Sequence, residues 1–566
     1  MPPSNEMLPT HGAAMIQRIR PFIFCVLLLF PFGVSAQERP NDPDENAGGV
    51  YQPGVRQGQL RTPSLRVKSG NFFFAQVNVD SLGMNIVGDA ANEPSIAVDP
   101  TNPNGIVIGW RQFDDVNNSF RQAGYSYTTD GGQSWTFPGA IEPGIFRSDP
   151  VLDTDDEGHF YYYSLSTSGS YTCEVFKSTN GGSSWSAGVP AYGGDKGWMM
   201  IDKTGGPGNN NIYCFSRDDV ATNIVLTRSF DRGGFFHPLI NVPGNPGRGT
   251  IAAAADGAVY AAGRSFNNGL FVVARSSDLY DSASASVFEF SRQVDMGGSY
   301  TAYAGPNPGG LLGQMNVACA PDSNTVYLLS SVDPPGTDLL DVYFIQSTDR
   351  GTTWGSPVRI NDDSSTSAWQ WFGTMSVAPN GRIDVVWLDT RDDPGTYLSS
   401  LYYSYSMDNG LTWSSNQRLS QSFDPHVGWP QQQKMGDYFH MVSDISGAHL
   451  AWAATFNSEE DVYYGFISAP TSVPAFNTPL TFSLDQNYPN PFNPTTHFGF
   501  RIAEFGFVTL SVYDLLGREV ATLINEEKHT GAYSVTWNAV GFSSGTYFYR
   551  LQVGNFTSTR RMVLVK

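Results

Sequence analysis

The chain has 566 residues, long enough to favour more than one domain, and its 59 glycines, 36 prolines and 13% aromatic residues stand against only 15% charged residues. That composition suits short strands joined by tight turns better than helices, so an all-β class is expected. Asp and Glu outnumber Lys and Arg by 53 to 33, and the resulting net charge of −20 repels a polyphosphate backbone and sets nucleic acid aside as a partner.

At the N-terminus, Arg18 and Arg20 precede the apolar run Phe22 to Phe32, and Val34-Ser35-Ala36 supplies small residues before Gln37. This pattern predicts an export signal over 1–36, cleaved after Ala36, with Met15 opening a signal of more usual proportions. The run is too short for a permanent anchor, and no later segment has the length and apolarity to cross a membrane. Residues 37–70 read as a linker. Cys25 falls in the signal, leaving Cys173, Cys214 and Cys319. Their odd number argues against a disulfide framework, although one pair between neighbouring repeats stays open.

From 71 to 468 the chain repeats itself. The first unit reads Pro94-Ser95-Ile96-Ala97-Val98-Asp99, then Ile106-Val107-Ile108-Gly109-Trp110, then Ala123-Gly124-Tyr125-Ser126-Tyr127. Six further units follow, with first strands beginning near Pro150, Trp198, Thr250, Met315, Gly373 and Tyr438. An octapeptide, Ser/Thr-x-Asp-x-Gly-x-Ser/Thr-Trp, closes most of them. It is complete at Thr128–Trp135, Ser347–Trp354 and Ser406–Trp413, carries Asn180 in place of Asp at Ser178–Trp185, and lacks the Trp at Ser229–Phe236. The fourth unit has only Ser276-Ser277-Asp278. An Asx side chain bonding nearby N–H groups and a Gly at positive φ make such a segment a hairpin clasp, with the Trp packed on the sheet. The seventh unit stops after its third strand, Asp461–Phe466. Because a propeller must close its ring, Asn71–Val77 is expected to supply the missing outer strand.

The octapeptides are Asp boxes, and with them residues 85–468 resemble the sialidase superfamily of β-propellers. The expected architecture is a seven-bladed propeller, six blades being the alternative typical of that superfamily. The resemblance implies an arginine triad for a carboxylate, a Tyr-Glu nucleophile pair and an Asp acid/base. The superfamily's Phe/Tyr-Arg-Ile/Leu-Pro motif is missing, however, and the corresponding segment is Asn92-Glu93-Pro94-Ser95-Ile96.

After a Pro-rich linker, 469–480, the texture changes over 481–566. Strands at Val508–Tyr513, Tyr533–Trp537, Thr546–Val553 and Thr559–Val565 predict a small immunoglobulin-like β-sandwich. The opening Asn487-Tyr488-Pro489-Asn490-Pro491-Phe492-Asn493-Pro494, the run Val512–Val520, the segment Ser544–Tyr549 and the basic end Arg560–Lys566 resemble type IX secretion sorting domains. The resemblance implies recognition by an outer-membrane export machine and a secreted or outer-surface location.

Propellers place ligands where first-strand starts and second-strand ends converge. Repeat alignment puts Arg111, Arg217 and Arg264 at one position, with Arg391 slightly later, and guanidiniums converging there would bind a carboxylate or sulfate. These four are the substrate-binding candidates. Glu93, Asp149 and Tyr438, at first-strand starts, are the catalytic candidates. Salt bridges from the arginines to neighbouring acids are the structural alternative. The pairs Asp114-Asp115, Asp362-Asp363 and Asp392-Asp393 read as solvated or cation-holding turns, and no metal motif or cofactor motif is present. Two functions fit: a sialidase-like propeller that binds or cleaves extracellular, acidic glycans, and a noncatalytic surface adhesion, protein-binding or scaffold propeller.

Overall fold

The computed structural model describes residues 49–470 and 482–566, apart from 168–169, 219–222, 285–286, 485, 488, 503–505, 529–530 and 555. The export signal and nearly all of the 469–480 linker lie outside the described residues. The protein is all-β. Among the described residues, seven antiparallel sheets of four or five strands follow one another from Arg66 to Ser468.

Each sheet grows from one apolar triplet. In the first, Ala90–Val98, Ile106–Phe113, Gln122–Thr128 and Thr136–Ile141 lie side by side in sequence order. Its second strand is buried throughout, because both faces are covered by neighbouring sheets and an unbroken apolar run is what such a strand requires. The other second strands are Phe160–Thr167, Ile212–Arg217, Val259–Ser265, Val326–Val332, Ile383–Asp389 and Gly447–Ala454. The first strands touch in succession from Ala90–Val98 through Ser148–Thr154, Trp198–Ile201, Ile251–Ala253, Asn316–Cys319 and Gln370–Val377 to His440–Ser443. The last of these packs back against the first.

The closing sheet takes its fourth strand from the N-terminal side. Phe72–Gln76 pairs with Asp461–Ser468 in the register Phe72↔Ile467 to Gln76↔Tyr463. Phe74 packs edge-on against Trp452 and Tyr463, with centroids 5.5 and 5.8 Å away. Arg66–Ser69 then adds a fifth strand, and Arg61–Pro63 pairs with Met84–Ile86. The segment expected to be a linker is thus partly built into sheets. Its strands are only three and four residues long, Arg61–Pro63 and Arg66–Ser69, and are too polar and too short to stand out in the sequence.

The octapeptide turns form as side-chain clasps. In the first, Ser134 N–H and Oγ donate to the two carboxylate oxygens of Asp130 at 2.9 and 2.6 Å, and Gly132 N–H donates to Thr128 Oγ1 at 3.2 Å. Gly132 needs its hydrogen side chain, since φ is +84° and a Cβ would come within 2.2 Å of the Tyr464 ring. The truncated fourth turn keeps the clasp, with Ser276 Oγ donating to Asp278 at 2.8 Å. Asn180 replaces the carboxylate with an amide, accepting from Ser184 N–H at 3.1 Å.

The three cysteines are free thiols. Cys173 and Cys214 are buried in one apolar cluster shared by the second and third sheets, so the open possibility of a bridge between repeats is not realised.

Toward the C-terminus, one sheet holds Ser483–Leu484, Thr495–Ile502 and Gly531–Asn538, and a second holds Glu519–Lys528, Gly506–Tyr513, Gly545–Val553 and Phe556–Leu564 in that spatial order. Phe498, Phe500 and Ile502 of the first share one core with Leu510, Val512, Tyr549 and Leu551 of the second, so the two sheets form a sandwich. No described helix is long and apolar enough to cross a membrane.

Candidate functional site

Where each first strand begins, the backbone turns through the left-handed region. Glu93, Asp149, Lys196, Arg248 and Phe372 have φ of 51°, 48°, 55°, 56° and 56°, and glycines 313 and 436 hold the same place at 133° and 84°. In the first, second and sixth sheets the pairing register slips at this point, between Asn92 and Ser95, between Ser148 and Val151 and between Trp371 and Thr374, which marks a bulge. Five non-glycine residues in a disfavoured conformation require compensation from their surroundings. For three of them the compensation is electrostatic.

Arg111 Nε lies 2.8 Å from Asn92 Oδ1 and 3.2 Å from Glu93 Oε2. The other Glu93 oxygen is 3.2 Å from Lys434 Nζ, which is also 3.0 Å from Asp437 Oδ2. Lys196 Nζ reaches the same Asp437 oxygen at 2.7 Å and Asp195 Oδ1 at 3.3 Å, while Lys196 N–H donates to Asp149 Oδ2 at 2.8 Å. Ion pairs therefore join the starts of the first, third and seventh sheets, and the Lys196 backbone N–H ties in the second. Asp437 also accepts from Leu311 N–H at 2.8 Å.

Burial sets the protonation of this network. Burial raises the Glu93 carboxyl above its usual range despite Arg111 and Lys434, and burial beside Glu93 raises Glu460 as well. For Asp437, burial opposes ionisation, but Lys196, Lys434 and Arg111 together hold it well below the ordinary range. Tyr438 donates to the Pro150 carbonyl at 2.8 Å and stacks edge-on against Trp198. Burial and the carboxylates of Glu93 and Asp149 raise its hydroxyl well above the usual value, the opposite of what activates a tyrosine nucleophile.

The structure thus brings together Glu93, Arg111, Asp149 and Tyr438, with exposures of 0%, 0%, 1% and 2%. With them it brings Asp437, which the sequence also offers at a first-strand start, and it adds Lys196, Lys434 and Glu460, which the sequence did not single out. The readable signal was the motif at first-strand starts, Asn92-Glu93-Pro94, Ser148-Asp149-Pro150, Asp195-Lys196-Gly197 and Gly247-Arg248-Gly249, in which a charged residue precedes Pro or Gly.

The other three arginines lie elsewhere. Arg217 and Arg264 are half-buried, their guanidiniums 5.5 Å from the Phe266 centroid and 5.9 Å from that of Tyr300. Arg248, beside Arg264, donates to Tyr303 Oη at 2.8 Å. Arg391 belongs to the sixth sheet, bonded to Asp389 at 2.8 Å, Asp362 at 2.6 Å and Asn416 at 3.0 Å, over the Tyr402 ring. It makes the salt bridges that were the structural alternative. The acidic pairs are similarly engaged, Asp363 with Arg359 and Asp392 with Arg418. Among the described residues no group of His, Cys, Asp and Glu has the arrangement of a metal site. An open cleft of 730 Å³ lies away from the charged network, between the strand Phe290–Gln293 and the turn ending at Trp354.

Residues 486–566 match the model of the secretion system C-terminal sorting domain. That tail directs the protein by type IX secretion to the outer surface or the extracellular space. No curated protein matches the chain. Among solved structures, a protein of unknown function from Dyadobacter fermentans is similar at 12% identity, covering 72% of this chain and 99% of its own, with a TM-score of 0.38. A Hadza microbial sialidase is 13% identical over 64% of this chain and 76% of its own, with a TM-score of 0.36. The GH93 α-L-arabinofuranosidase of Fusarium graminearum, 13% identical, covers 70% and 98% with a TM-score of 0.38.

Proposed function

We propose that the seven sheets are the blades of one seven-bladed propeller, that the tail is an immunoglobulin-like sorting domain, and that outside the cell the propeller binds an extracellular ligand without cleaving it. The observation that carries this reading is the burial of the catalytic candidates. Glu93, Asp149 and Tyr438 are at most 2% exposed and are engaged with Lys434, Lys196 and Pro150. A glycoside hydrolase needs carboxyl groups that reach a sugar from solvent. Here they hold sheets to one another, and Arg111 is part of the same network.

Binding uses the open surface instead. The 730 Å³ cleft offers such a surface, and Arg217 and Arg264, half-buried beside aromatic rings and apart from the charged network, are the arginines to test against an acidic group on a glycan. The test is a glycan array probed with the purified full chain, with product detection on each bound glycan. The proposal expects retention of acidic glycans and no product. Release of sugar from any of them would overturn it.

A further inference from the structure

The segments by which the tail resembles a sorting signal converge on one end of its four-stranded sheet. Tyr513, the last residue of its strand, pairs with Phe548, and the turn that follows, Asp514–Arg518, therefore lies beside the start of the strand Gly545–Val553. Gly545 pairs with Leu564, which brings the chain end Val565–Lys566 to the same edge. Phe492, from the opening segment, exchanges backbone hydrogen bonds there with Val563 and Val565, both 3.0 Å.

This end exposes apolar side chains. Leu515, Leu516, Val540 and Val565 are 69%, 79%, 62% and 49% exposed. The leucines are held out by a fixed turn, in which Asp514 accepts from Leu516 N–H at 2.9 Å, Arg518 N–H at 3.0 Å and Arg518 Nε at 2.8 Å. Gly517 completes it at φ +75°. Lys566 N–H is bonded to Ser544 at 2.9 Å, and its ammonium to the Val540 carbonyl at 2.6 Å. A solvated turn gains nothing from presenting two adjacent leucines, so a rigid apolar tip points to a partner that buries it. Residues 486–566 carry seven Lys and Arg against five Asp and Glu, in a chain whose net charge is −20.

We propose that the Leu515–Leu516 tip, flanked by Val540 and Val565, is the surface by which the tail docks on its export machinery, in an apolar pocket edged with acidic groups. The test compares full-length chains carrying Leu515→Glu with Leu516→Glu, the same pair changed to Ser, and the same pair changed to Met, in a cell with the type IX pathway. Surface and periplasmic fractions are quantified, each purified chain is melted, and self-association is followed by sedimentation. The proposal expects the Glu pair to lose at least tenfold in surface delivery, the Ser pair to lose less and the Met pair to be delivered normally, with all tails folded. Normal delivery of a folded Glu pair overturns it. So does lost delivery that tracks unfolding across the three pairs, or a concentration-dependent dimer abolished by Glu while delivery is unchanged, which would make a second copy the occupant.

Discussion

Lys196 Nζ lies 2.7 Å from Asp437 Oδ2, clamping a cation at the start of the third sheet onto an acid at the start of the seventh. Asp437 also neutralises Lys434, so Asp437→Asn leaves two buried ammonium groups short of a counter-charge. Removing one member of a buried ion pair costs about 3–5 kcal/mol. We predict a loss of that size in urea denaturation. An unchanged midpoint would show that the network does not hold the sheets.

A pH dependence follows from His440. Its Nδ1 accepts from Ser95 Oγ at 2.8 Å and Ile96 N–H at 3.3 Å, which fixes the neutral ring, and burial lowers its pKa to about 4. The unfolded chain titrates near 6.5. A base depressed on folding contributes stability that is fully present above about pH 6.5 and is lost as pH falls toward 4. For this partly buried ring we expect about 2 kcal/mol to disappear over that window. Melts of the wild type and His440→Gln from pH 7 to 4 measure it; parallel curves would remove His440 as the cause.

The clasp turns should contribute modestly and locally. Asp349 accepts from Thr353 Oγ1 and N–H at 2.7 and 2.8 Å, and those bonds hold its carboxyl below the usual range. Asp349→Ala should cost about 1 kcal/mol, the net value of a typical hydrogen bond. Because the folded pKa is depressed, the contribution is present above about pH 4 and is lost as pH falls through the folded value. Equal losses at pH 7 and pH 2 would contradict this.

Ring closure gives a sharper contrast between neighbours. Phe74 is 1% exposed among Trp452, Tyr463 and Phe456, whereas Phe73, on the opposite face of the same strand, is only half-buried. Phe74→Ala should cost about 3–5 kcal/mol and Phe73→Ala clearly less. Thermal melts of the two variants decide it, and similar losses would mean that the strand is held by its backbone pairing alone.

The fold was legible because its signals are local. Apolar triplets recur in every unit, three octapeptide clasps are complete and the degenerate ones are still readable, and the incomplete seventh unit pointed to Phe72–Gln76. The site was less legible because its partners come from distant segments. Lys434 lies in a loop with no repeat signature, and only folding brings it within 3.2 Å of Glu93, more than 300 positions away. Repeat alignment placed Arg111, Arg217, Arg264 and Arg391 near one another, but equal positions in successive sheets point into different surroundings. Asn92 and Glu93 wait for Arg111, Phe266 lies beneath Arg217, and three acceptors of its own region hold Arg391. Alignment shows where a side chain starts and says nothing of the partner it finds.

The most direct test of a binding propeller whose charged centre is structural is a paired measurement on Glu93→Gln, Arg111→Ala and Tyr438→Phe. Each variant is melted and assayed on acidic glycans for both binding and product release. We predict lower melting temperatures for Glu93→Gln and Arg111→Ala, unchanged glycan affinity in all three, and no product from the wild type or any variant. A wild type that releases sugar, with turnover lost in variants that melt normally, would contradict the account.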